Sequence, residues 1–383
     1  MKASTLDRTA NPYLQPMRWL AYIFVPLYYR TTCHVRAWGR MPRKRGPTLI
    51  VSNHQHEMES PLIVGDLGLR TFSWRYPIFT VSSRRMWEPG FFAERIPWLR
   101  VAREANLGRL FSAVGMQPIE NELTTRPFAS IAYTLMELEG DLAADRVFKP
   151  PVLTALPKGV EHLSDLLTAR HFAFARSYVR LGDLRDAYKE RVMHATREQL
   201  DADIAHFEAL VRDGATIFLT PEGFYSGDGK MQRLRGILSK LQPLATIYLA
   251  AISYDPYVRR RLSICYRVVA AREGIALDTQ LKAVRPITAS ALVCTYLAEH
   301  PDASDAGVAQ SVREQLAALP PAAFVVPELR ARPEAAVHQV LENLRRIGRR
   351  HPQFPRTGDM VAYQRNFHAE TLDGLASLSS SRA

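Results

Sequence analysis

The stretch Thr48–Pro61, with the sequence TLIVSNHQHEMESP, constrains the fold more than any other part of the chain. Its aliphatic and β-branched beginning, Thr48 to Ser52, predicts a short strand. The polar pair Asn53-His54 follows at once, and Glu59 lies five positions after the histidine. Residues five apart on an ideal helix point about 140° away from each other. His54 and Glu59 can therefore meet only if the chain turns from a strand into a helix between them.

Such a turn would place an acid beside an imidazole at the tip of a strand. The carboxylate of Glu59 could accept a hydrogen bond from one ring nitrogen of His54 and leave the other nitrogen basic and facing a cleft. We therefore predict a catalytic dyad of His54 and Glu59 that removes a proton from an alcohol. The spacing of His54, His56 and Glu59 also allows an alternative, a zinc site. No further His, Cys or Asp cluster completes that site in the sequence, and we expect no bound metal.

A second polar block follows another predicted strand, Ala215 to Thr220. It reads PEGFYSGDGK over residues 221–230 and is followed by Arg233 and Arg235. Gly223 would let the backbone approach a ligand closely, and Glu222 could organise the turn or contact an acceptor. Basic side chains after the glycines are suited to binding phosphate.

Together, these two blocks resemble the signature motifs of the glycerophospholipid acyltransferases, the family of lysophosphatidate and glycerol-3-phosphate acyltransferases. The first block resembles the family's NH-x4-D motif, with Glu59 in place of the aspartate as in the related lipid A acyltransferases. The second resembles the block F-P-E-G-T-R-S with its later D-G-K. Residues 107–121 and 245–256 are similar to two further family blocks. The resemblance implies an α/β acyltransferase domain with a cleft at the strand tips.

The resemblance also implies the residues that bind substrate. Two of them depart from the family pattern, because Asn121 and Tyr225 stand where the family has arginines that hold phosphate. Arg103, Arg109 and Arg126 are candidates to replace the missing contact. The predicted substrate-binding set is Asn53, Asn121, Glu222, Gly223, Tyr225, Ser226, Lys230, Arg233 and Arg235.

The order of predicted elements favours an α/β fold with a mixed, mostly parallel sheet flanked by helices. We predict a leader and membrane-interface helix in residues 1–46, an acyltransferase domain in 47–275 with a helical insertion at 122–200, and a C-terminal helical extension in 276–383. The Ser-rich end after Ser377 is expected to be disordered. Further predicted strands are Tyr76–Ser82, Ala245–Ser253 and Leu262–Ala270; predicted helices are Asp183–Glu198, Gln199–Arg212, Ile287–Ala298, Ala303–Leu319 and Pro333–Arg349.

Charge and composition limit the classes of partner that the protein can have. The 383 residues carry 50 Lys and Arg against 38 Asp and Glu, a net charge of +12 that favours an anionic partner. The sequence contains no nucleic-acid-binding motif, so we expect an anionic membrane surface, acyl-CoA or acyl-carrier protein, and a lipid acceptor, but no nucleic acid. The three cysteines are far apart, which indicates a reducing compartment and no disulfide framework.

The apolar, aromatic run Met17–Arg30 is too short to cross a bilayer, which needs about 20 residues. It predicts an interfacial helix, and the basic cluster of Arg40, Arg43, Lys44 and Arg45 would add attraction to anionic lipid. We therefore expect a peripheral or monotopic protein on the cytoplasmic face of a membrane. The alternative is a helix buried against the domain core.

The function that these motifs imply is acyl transfer from acyl-CoA or acyl-carrier protein to a hydroxyl of a glycerol phosphate or lysophospholipid-type acceptor, as in phospholipid biosynthesis. The acceptor would attack the thioester directly, and backbone amides at the strand tips would stabilise the oxyanion. The donor is a substrate, and no bound cofactor is expected. Two alternatives are an acyl thioesterase, in which water replaces the acceptor, and a lipid-binding protein of the same fold without activity.

Overall fold

The computed structural model describes residues 15–41, 46–56, 59–70, 78–88, 108–120, 123–225 and 227–380. The strands are β1 (His34–Gly39), β2 (Thr48–Val51), β3 (Ile78–Ser83), β4 (Met116–Ile119), β5 (Thr125–Pro127), β6 (Tyr178–Arg180), β7 (Thr216–Leu219), β8 (Thr246–Asp255) and β9 (Ser263–Ala270). The helices are α1 (Gln15–Thr32), α2 (Glu59–Arg70), α3 (Gly108–Ala113), α4 (Phe128–Glu139), α5 (Ala144–Val147), α6 (Pro150–Leu153), α7 (Leu163–Leu166), α8 (Phe172–Ala175), α9 (Asp186–Arg212), α10 (Ile237–Leu241), α11 (Leu277–Ala283), α12 (Ala289–Glu299), α13 (Asp305–Ala318), α14 (Pro327–Ala331), α15 (Pro333–Ile347) and α16 (Met360–Ser380).

The described strands of the main sheet number seven and follow the order β1-β9-β8-β2-β7-β3-β4. Strand β2 is parallel to both of its neighbours, β7 and β8. Strands β1 and β9 are also parallel, as are β3 and β7, whereas β8 and β9 run antiparallel. The sheet is therefore mixed and mostly parallel, which confirms the predicted α/β class.

The centre of the sheet consists of short, continuous apolar strands. All four residues of β2 and all four of β7 are buried, as expected for strands covered on both faces. Val51 pairs with Leu219 on one side and with Leu249 on the other. The chain segments that leave β2 and β7 consequently emerge side by side at the carboxyl edge of the sheet, where parallel sheets usually bind ligands.

The chain divides into two compact units. One comprises Gln15–Thr80 and Leu210–Ala383, and it includes both the central strands and the C-terminal helices. Helices α12 and α16 contribute Leu292, Cys294 and Leu375 to the same buried cluster as Ile50 and Phe218.

The other unit contains Val81–Ala209. Its own apolar core includes Phe128 and Leu135 of α4, Phe148 and Leu166. The antiparallel strands β5 and β6 pair in this unit, so the segment predicted as a helical insertion also contains a small sheet.

Helix α1 packs against α2 through small residues. Gly65 of α2 lies against the ring of Pro26, and Gly68 lies against the ring of Tyr22. The Tyr22 hydroxyl accepts a hydrogen bond from the Ile78 backbone nitrogen at 3.1 Å, which anchors the crossing. No helix in the described part of the chain is long and apolar enough to span a membrane.

Most predicted elements are present with boundaries that differ by one or two residues, but two predictions differ from the structure. The two helices predicted at 183–198 and 199–212 are one helix, α9, because the sequence between them contains neither Gly nor Pro. The end after Ser377, predicted to be disordered, continues helix α16 to Ser380. Leu375 and Leu378 are buried there, and the Ser379 hydroxyl bonds back to the Leu375 carbonyl. Helix α16 itself was not predicted.

Candidate active site

The structure brings His54 and Glu59 together across the predicted turn. Strand β2 ends at Val51 and helix α2 begins at Glu59. The Nδ1 atom of His54 lies 2.8 Å from Oε2 of Glu59. The Glu59 side chain is fully buried, whereas 16% of the His54 side chain is exposed. The acid is therefore sealed from solvent while the imidazole remains reachable.

Other contacts of Glu59 determine which nitrogen of His54 carries a proton. Its Oε1 accepts hydrogen bonds from the backbone nitrogens of Gln55, at 2.8 Å, and His56. It also accepts one from the hydroxyl of Tyr254 at 3.1 Å. All three donors point at Oε1, whereas Oε2 faces His54 Nδ1, so an ionised Glu59 accepts the Nδ1 proton. The Nε2 atom is then the unprotonated, basic nitrogen.

Asn53 positions the histidine through the sheet. Its side-chain amide donates to the Ile252 carbonyl at 3.0 Å and accepts from the Ile252 nitrogen at 2.8 Å. The neighbouring Ser52 hydroxyl donates to the Ala250 carbonyl at 2.7 Å. These bonds extend the pairing of β2 with β8 beyond the end of β2. Asn53 is buried and acts as a structural anchor for His54.

Glu222 meets His54 because of the register of the parallel strands. Each residue follows the end of its strand by three positions, and the strand ends Val51 and Leu219 are paired. Glu222 accepts hydrogen bonds from the His54 backbone nitrogen at 2.6 Å and from the Gln232 nitrogen at 2.7 Å. Burial raises the pKa of Glu222 from its ordinary value of 4.5 to about 7, against the opposing effect of these bonds and of Arg285. The Glu222 carboxyl group therefore links the two motif blocks through hydrogen bonds.

The glycine-rich loop after β7 adopts a conformation that requires its glycines. Gly223 has a φ of +74° and Gly229 one of +82°, a region that favours glycine. A Cβ on Gly229 would lie 2.3 Å from the Tyr363 carbonyl oxygen. The glycine-rich loop therefore packs directly against helix α16.

Tyr225 packs against the dyad. Its ring lies edge-on to the His54 ring with 5.2 Å between centroids. It also stacks on the His56 ring at 6.1 Å, and the guanidinium of Arg356 lies over it at 4.8 Å. Tyr225 therefore forms an aromatic wall beside the imidazole.

A narrow recess opens beside the dyad. It is a shallow crevice rather than a cavity, because its walls leave no room for a water-sized sphere. Its polar walls come from both motif blocks and from the C-terminal helices. The lining residues are Asn53, His54, Gln55, Glu222, Gly229, Lys230, Met231, Arg285 and Tyr363.

The predicted basic residues of the second block occupy different places. Lys230 is exposed and lines the recess. Arg235 is partly buried; its Nε donates to the Glu222 carbonyl at 3.3 Å, and its guanidinium lies over the Phe224 ring. Arg233 is exposed and does not line the recess. Of the three, the structure brings only Lys230 to the recess.

Some predicted residues lie outside the described part of the chain or in the other unit. Asn121, Ser226, Arg103, Tyr76 and the basic residues at 43–45 are outside the described residues. Arg109 is exposed on α3, in the unit that contains Val81–Ala209. Arg126, in the same unit, is buried and donates to Thr196 at 2.7 Å and to Glu120 at 3.2 Å. Arg126 therefore forms its hydrogen bonds within its own unit.

The predicted site residues included none from the C-terminal helical extension. Arg285 and Tyr363 line the recess, and Glu370 pairs with Arg285 at 3.2 Å. The only sequence signal for Arg285 is its position as a lone charge between the apolar residues Val284 and Ile287. Tyr254, in the block 245–256, was not among the predicted site residues, but its hydroxyl donates to Glu59.

Asp255, next to Tyr254, binds helix α12 and not the dyad. Its Oδ1 accepts hydrogen bonds from the nitrogen of Ser290, at 3.1 Å, and from the Ser290 hydroxyl. Ser290 lies in the first turn of α12, where a carboxylate is favoured by the helix dipole. Burial raises the pKa of Asp255 to about 6. This residue fixes α12 to the end of β8.

The two histidines of the zinc alternative engage different partners. His54 Nδ1 faces Glu59, whereas His56 Nε2 lies 2.9 Å from the Gln353 carbonyl oxygen. Among the described residues, no group of three or more His, Cys, Asp or Glu side chains is arranged to hold a metal ion.

A partly exposed imidazole with one nitrogen held by a buried acid is the kind of arrangement that serves as a general base. The chain matches no known protein-family model, and no curated protein matches it significantly.

Proposed function

We propose that this protein is an O-acyltransferase with a glycerolipid acyltransferase-like fold. It would move a fatty acyl chain from acyl-CoA or acyl-carrier protein to a hydroxyl of a glycerol phosphate or lysophospholipid-type acceptor. The observation that carries the proposal is the 2.8 Å contact between His54 Nδ1 and Glu59 Oε2 at the carboxyl edge of the sheet. The second motif block, joined to it through Glu222, supports the same function.

In the proposed reaction, His54 Nε2 takes the proton from the acceptor hydroxyl as its oxygen attacks the thioester carbonyl. The tetrahedral intermediate collapses by breaking the carbon–sulfur bond, and the imidazolium returns the proton to the departing thiolate. Glu59 holds the ring and stabilises its positive charge during the step. Because the recess is too narrow for a water-sized sphere, both substrates would approach His54 from its exposed side.

Acyl transfer to an alcohol is favoured over the thioesterase alternative by the half-buried position of His54. The aromatic ring of Tyr225 lies against the imidazole and limits the access of water to it. A lipid-binding protein without activity would have no use for a buried acid that fixes the tautomer of a partly exposed histidine. The dyad thus argues for catalysis.

The test is a mass-spectrometric screen of the purified protein with a labelled long-chain acyl-CoA and a panel of hydroxyl acceptors. We expect one favoured lipid acceptor, and loss of about 10²- to 10⁴-fold in rate for His54→Ala. His338→Ala, which alters an exposed histidine on α15, is the matched control and should retain full activity. Sustained CoA release without acceptor would favour the thioesterase, and unchanged product formation by His54→Ala would refute the dyad mechanism.

We further propose that α1 rests on an anionic membrane surface. Its outward face carries apolar side chains at helical spacing, with Phe24 60% and Tyr28 62% exposed. The opposite face packs on α2 through Tyr22 and Pro26. The exposed apolar residues of α1 are Met17, Trp19, Leu20, Ile23, Phe24, Leu27 and Tyr28.

Basic residues adjoin this apolar face. Arg259, Arg260 and Arg261 are exposed in the loop between β8 and β9, and the Arg261 guanidinium donates to the Thr31 carbonyl at 2.8 Å. The three arginines therefore lie at the C-terminal end of α1. An apolar helix face beside a basic loop is suited to bind anionic lipid headgroups.

Co-sedimentation with vesicles tests this surface. We expect binding to phosphatidylcholine vesicles that contain phosphatidylglycerol, weaker binding without it, and a decrease with salt. Arg260→Gln should lower affinity about fivefold, and Phe24→Glu should lower it further. Leu138→Glu, at an exposed leucine on α4, is the control and should have no effect. Equal binding by Phe24→Glu and the unaltered protein would exclude α1 as the membrane contact.

A further inference from the structure

Residues 353–356 form a short segment between α15 and α16, which we call the strap, and it contacts the turn that carries the dyad. The Gln353 carbonyl oxygen lies 2.9 Å from Nε2 of His56, across 297 positions of sequence. Because a carbonyl oxygen only accepts hydrogen bonds, His56 donates the proton from Nε2. The backbone nitrogen of His56 donates to Glu59. His56 therefore joins the strap to the acid of the dyad.

Phe354 makes an apolar contact between the strap and the same turn. Only 3% of this residue is exposed. Its ring lies edge-on to the rings of His56 and Tyr254, with centroid distances of 5.3 Å and 5.2 Å. Aromatic pairs in this arrangement attract each other beyond the effect of burial alone. Phe354 thus packs against two of the three described residues that donate hydrogen bonds to Glu59 Oε1.

Arg356 connects the strap to the loop after β7. Its guanidinium lies 4.8 Å from the centre of the Tyr225 ring, a cation–π contact. The Tyr225 ring is edge-on to His54 and stacked on His56. A Cβ on Gly227 would lie 2.5 Å from the Arg356 carbonyl oxygen, so the two backbones are also close. The strap therefore contacts the second motif block as well as the dyad turn.

Hydrogen bonds within the strap and with its neighbours hold its backbone. The Phe354 nitrogen donates to the His351 carbonyl at 2.9 Å, and the Thr357 nitrogen donates to the Phe354 carbonyl at 3.0 Å. The Gln353 nitrogen donates to Nδ1 of His351 at 3.3 Å, and His351 is buried. These turns fix the directions of the Gln353 carbonyl and the Phe354 ring. The strap can therefore support the dyad turn with a defined geometry.

The two neighbouring histidines of the turn consequently hold opposite tautomers. A neutral imidazole carries one proton, on either Nδ1 or Nε2. His54 keeps it on Nδ1, where Glu59 accepts it, and its Nε2 is basic. His56 keeps it on Nε2, which donates to the Gln353 carbonyl. Of the two Nε2 atoms, only that of His54 is able to accept a proton from an alcohol.

We propose that the strap positions the dyad, with His56 and Phe354 as the positioning residues. Both act through Glu59 and its donor Tyr254, and neither acts on the reacting atoms. By holding the donors of Glu59 in place, they hold the acid, and the acid holds His54 in its reactive tautomer. The inference rests on the proposed function only in giving His54 the role of the base.

NMR of the full chain labelled with ¹⁵N-histidine tests the proposal without turnover, because protonated and unprotonated ring nitrogens differ in ¹⁵N shift. The spectra are recorded at about pH 8.5, where an ordinary histidine is neutral. Signals absent from His54→Ala and from His56→Phe assign the two rings. We expect the proton of His54 on Nδ1 and that of His56 on Nε2. A proton of His56 on Nδ1 would disprove its link to the strap.

Two variants remove the contacts of the strap one at a time. His56→Phe keeps a ring but loses the donor to Gln353, and Phe354→Leu keeps apolar bulk but loses the ring contacts. In both, we expect the His54 signals to show a mixture of tautomers. The kcat of acyl transfer should fall about 10- to 100-fold with little change in KM, because a slightly misplaced base loses its alignment with the hydroxyl.

Phe128→Leu is the matched control for loss of stability alone. Phe128 is 5% exposed and lies 5.3 Å from the Phe148 ring and 4.8 Å from the Phe174 ring, in the unit that contains Val81–Ala209. It should lose stability in urea unfolding as Phe354→Leu does, but keep the His54 tautomer and kcat. A single His54 tautomer and full kcat in folded Phe354→Leu, or in His56→Phe should Phe354→Leu not fold, would overturn the proposal.

The remaining outcomes separate this inference from the proposed function. If His56→Phe and Phe354→Leu mix the His54 tautomers, but the unaltered protein transfers no acyl chain to any acceptor, the strap proposal holds and the proposed function alone fails. If acyl transfer occurs and both variants raise KM with kcat unchanged, the strap contributes to substrate binding and the positioning role is wrong.

Discussion

The Nδ1 atom of His54 lies 2.8 Å from Oε2 of Glu59, although the two residues belong to a strand end and a helix start. Glu59 accepts three further hydrogen bonds from described residues, two from backbone nitrogens of the turn and one from Tyr254. The same carboxylate therefore shapes the turn and sets the histidine tautomer. The same group would therefore couple the stability of the turn to the proposed catalysis.

Glu59→Gln should abolish most activity while preserving the size of the side chain. An amide that donates to His54 Nδ1 would force the proton onto Nε2, the wrong tautomer for a general base. We expect a rate loss of about 10²- to 10⁴-fold, close to that of His54→Ala. Steady-state rates and urea unfolding of both variants provide the comparison. If Glu59→Gln kept more than about a tenth of the activity, the orienting role of the acid would be disproved.

Tyr254→Phe should have a smaller effect of the same kind. Burial and the nearby charge of Glu59 raise the pKa of Tyr254, so its hydroxyl remains a hydrogen-bond donor to Oε1. Removing that donor should lower the free energy of unfolding by about 1.5–3 kcal/mol. Activity should fall less than in Glu59→Gln, since the Gln55 and His56 nitrogens still hold the acid.

The control for that substitution is Tyr248→Phe, on the same strand β8. Its effect on the free energy of unfolding should stay within about 0.5 kcal/mol. Chemical denaturation of both variants measures the difference. Equal stabilities would mean that the hydroxyl of Tyr254 contributes nothing through Glu59.

Glu222 should make stability depend on pH in a defined window. Burial raises its pKa from 4.5 unfolded to about 7 folded, so the folded protein binds this proton more tightly. The stabilisation is fully present below about pH 4.5 and is lost as the pH rises toward 7, by at most about 1.4 kcal/mol per pH unit. Glu222→Gln removes this titration and should gain stability relative to the unaltered protein across that window.

Urea unfolding at intervals between about pH 4.5 and 7.5 checks the sign. The amide introduced by Glu222→Gln has a single oxygen and cannot accept from both the His54 and Gln232 nitrogens as the carboxylate does, which adds a penalty that does not vary with pH. The informative quantity is therefore the slope of the stability difference. Parallel curves for the two proteins would show that Glu222 does not titrate in this range.

Gly68→Ala should destabilise the protein although alanine favours helices. The added Cβ would lie 2.9 Å from the Tyr22 ring, which its hydroxyl ties to Ile78. Overpacking of this kind costs about 1–3 kcal/mol, more than the gain of up to about 1 kcal/mol in helix propensity. Gly307→Ala, near the start of α13, meets no contact under 3.4 Å and should be neutral or stabilising. Thermal unfolding of Gly68→Ala and Gly307→Ala measures the difference in stability. If Gly68→Ala were more stable than the unaltered protein, α1 would not be packed tightly on α2.

Local sequence determined the elements and the dyad. The apolar run of β2, the polar pair after it and the five-residue spacing to Glu59 predict a strand, a turn and a helix because these features act over a few residues. The second block was also recognisable, since its glycines mark a loop with special backbone angles. The predicted role of Ser226 and Asn121 stays a prediction, because both lie outside the described residues.

Tertiary structure alone decided which distant groups complete the recess. The parallel register of β2 and β7 brings Glu222 to the His54 nitrogen across 168 positions of sequence. Arg285, Phe367 and Glu370 meet there because α16 packs over the glycine loop, a contact with no local signal in the sequence. Periodicity reports which face of an element is apolar, but not which element will cover it. The pairing of faces depends on how the whole chain packs, so the buried arginine became visible only in the folded protein.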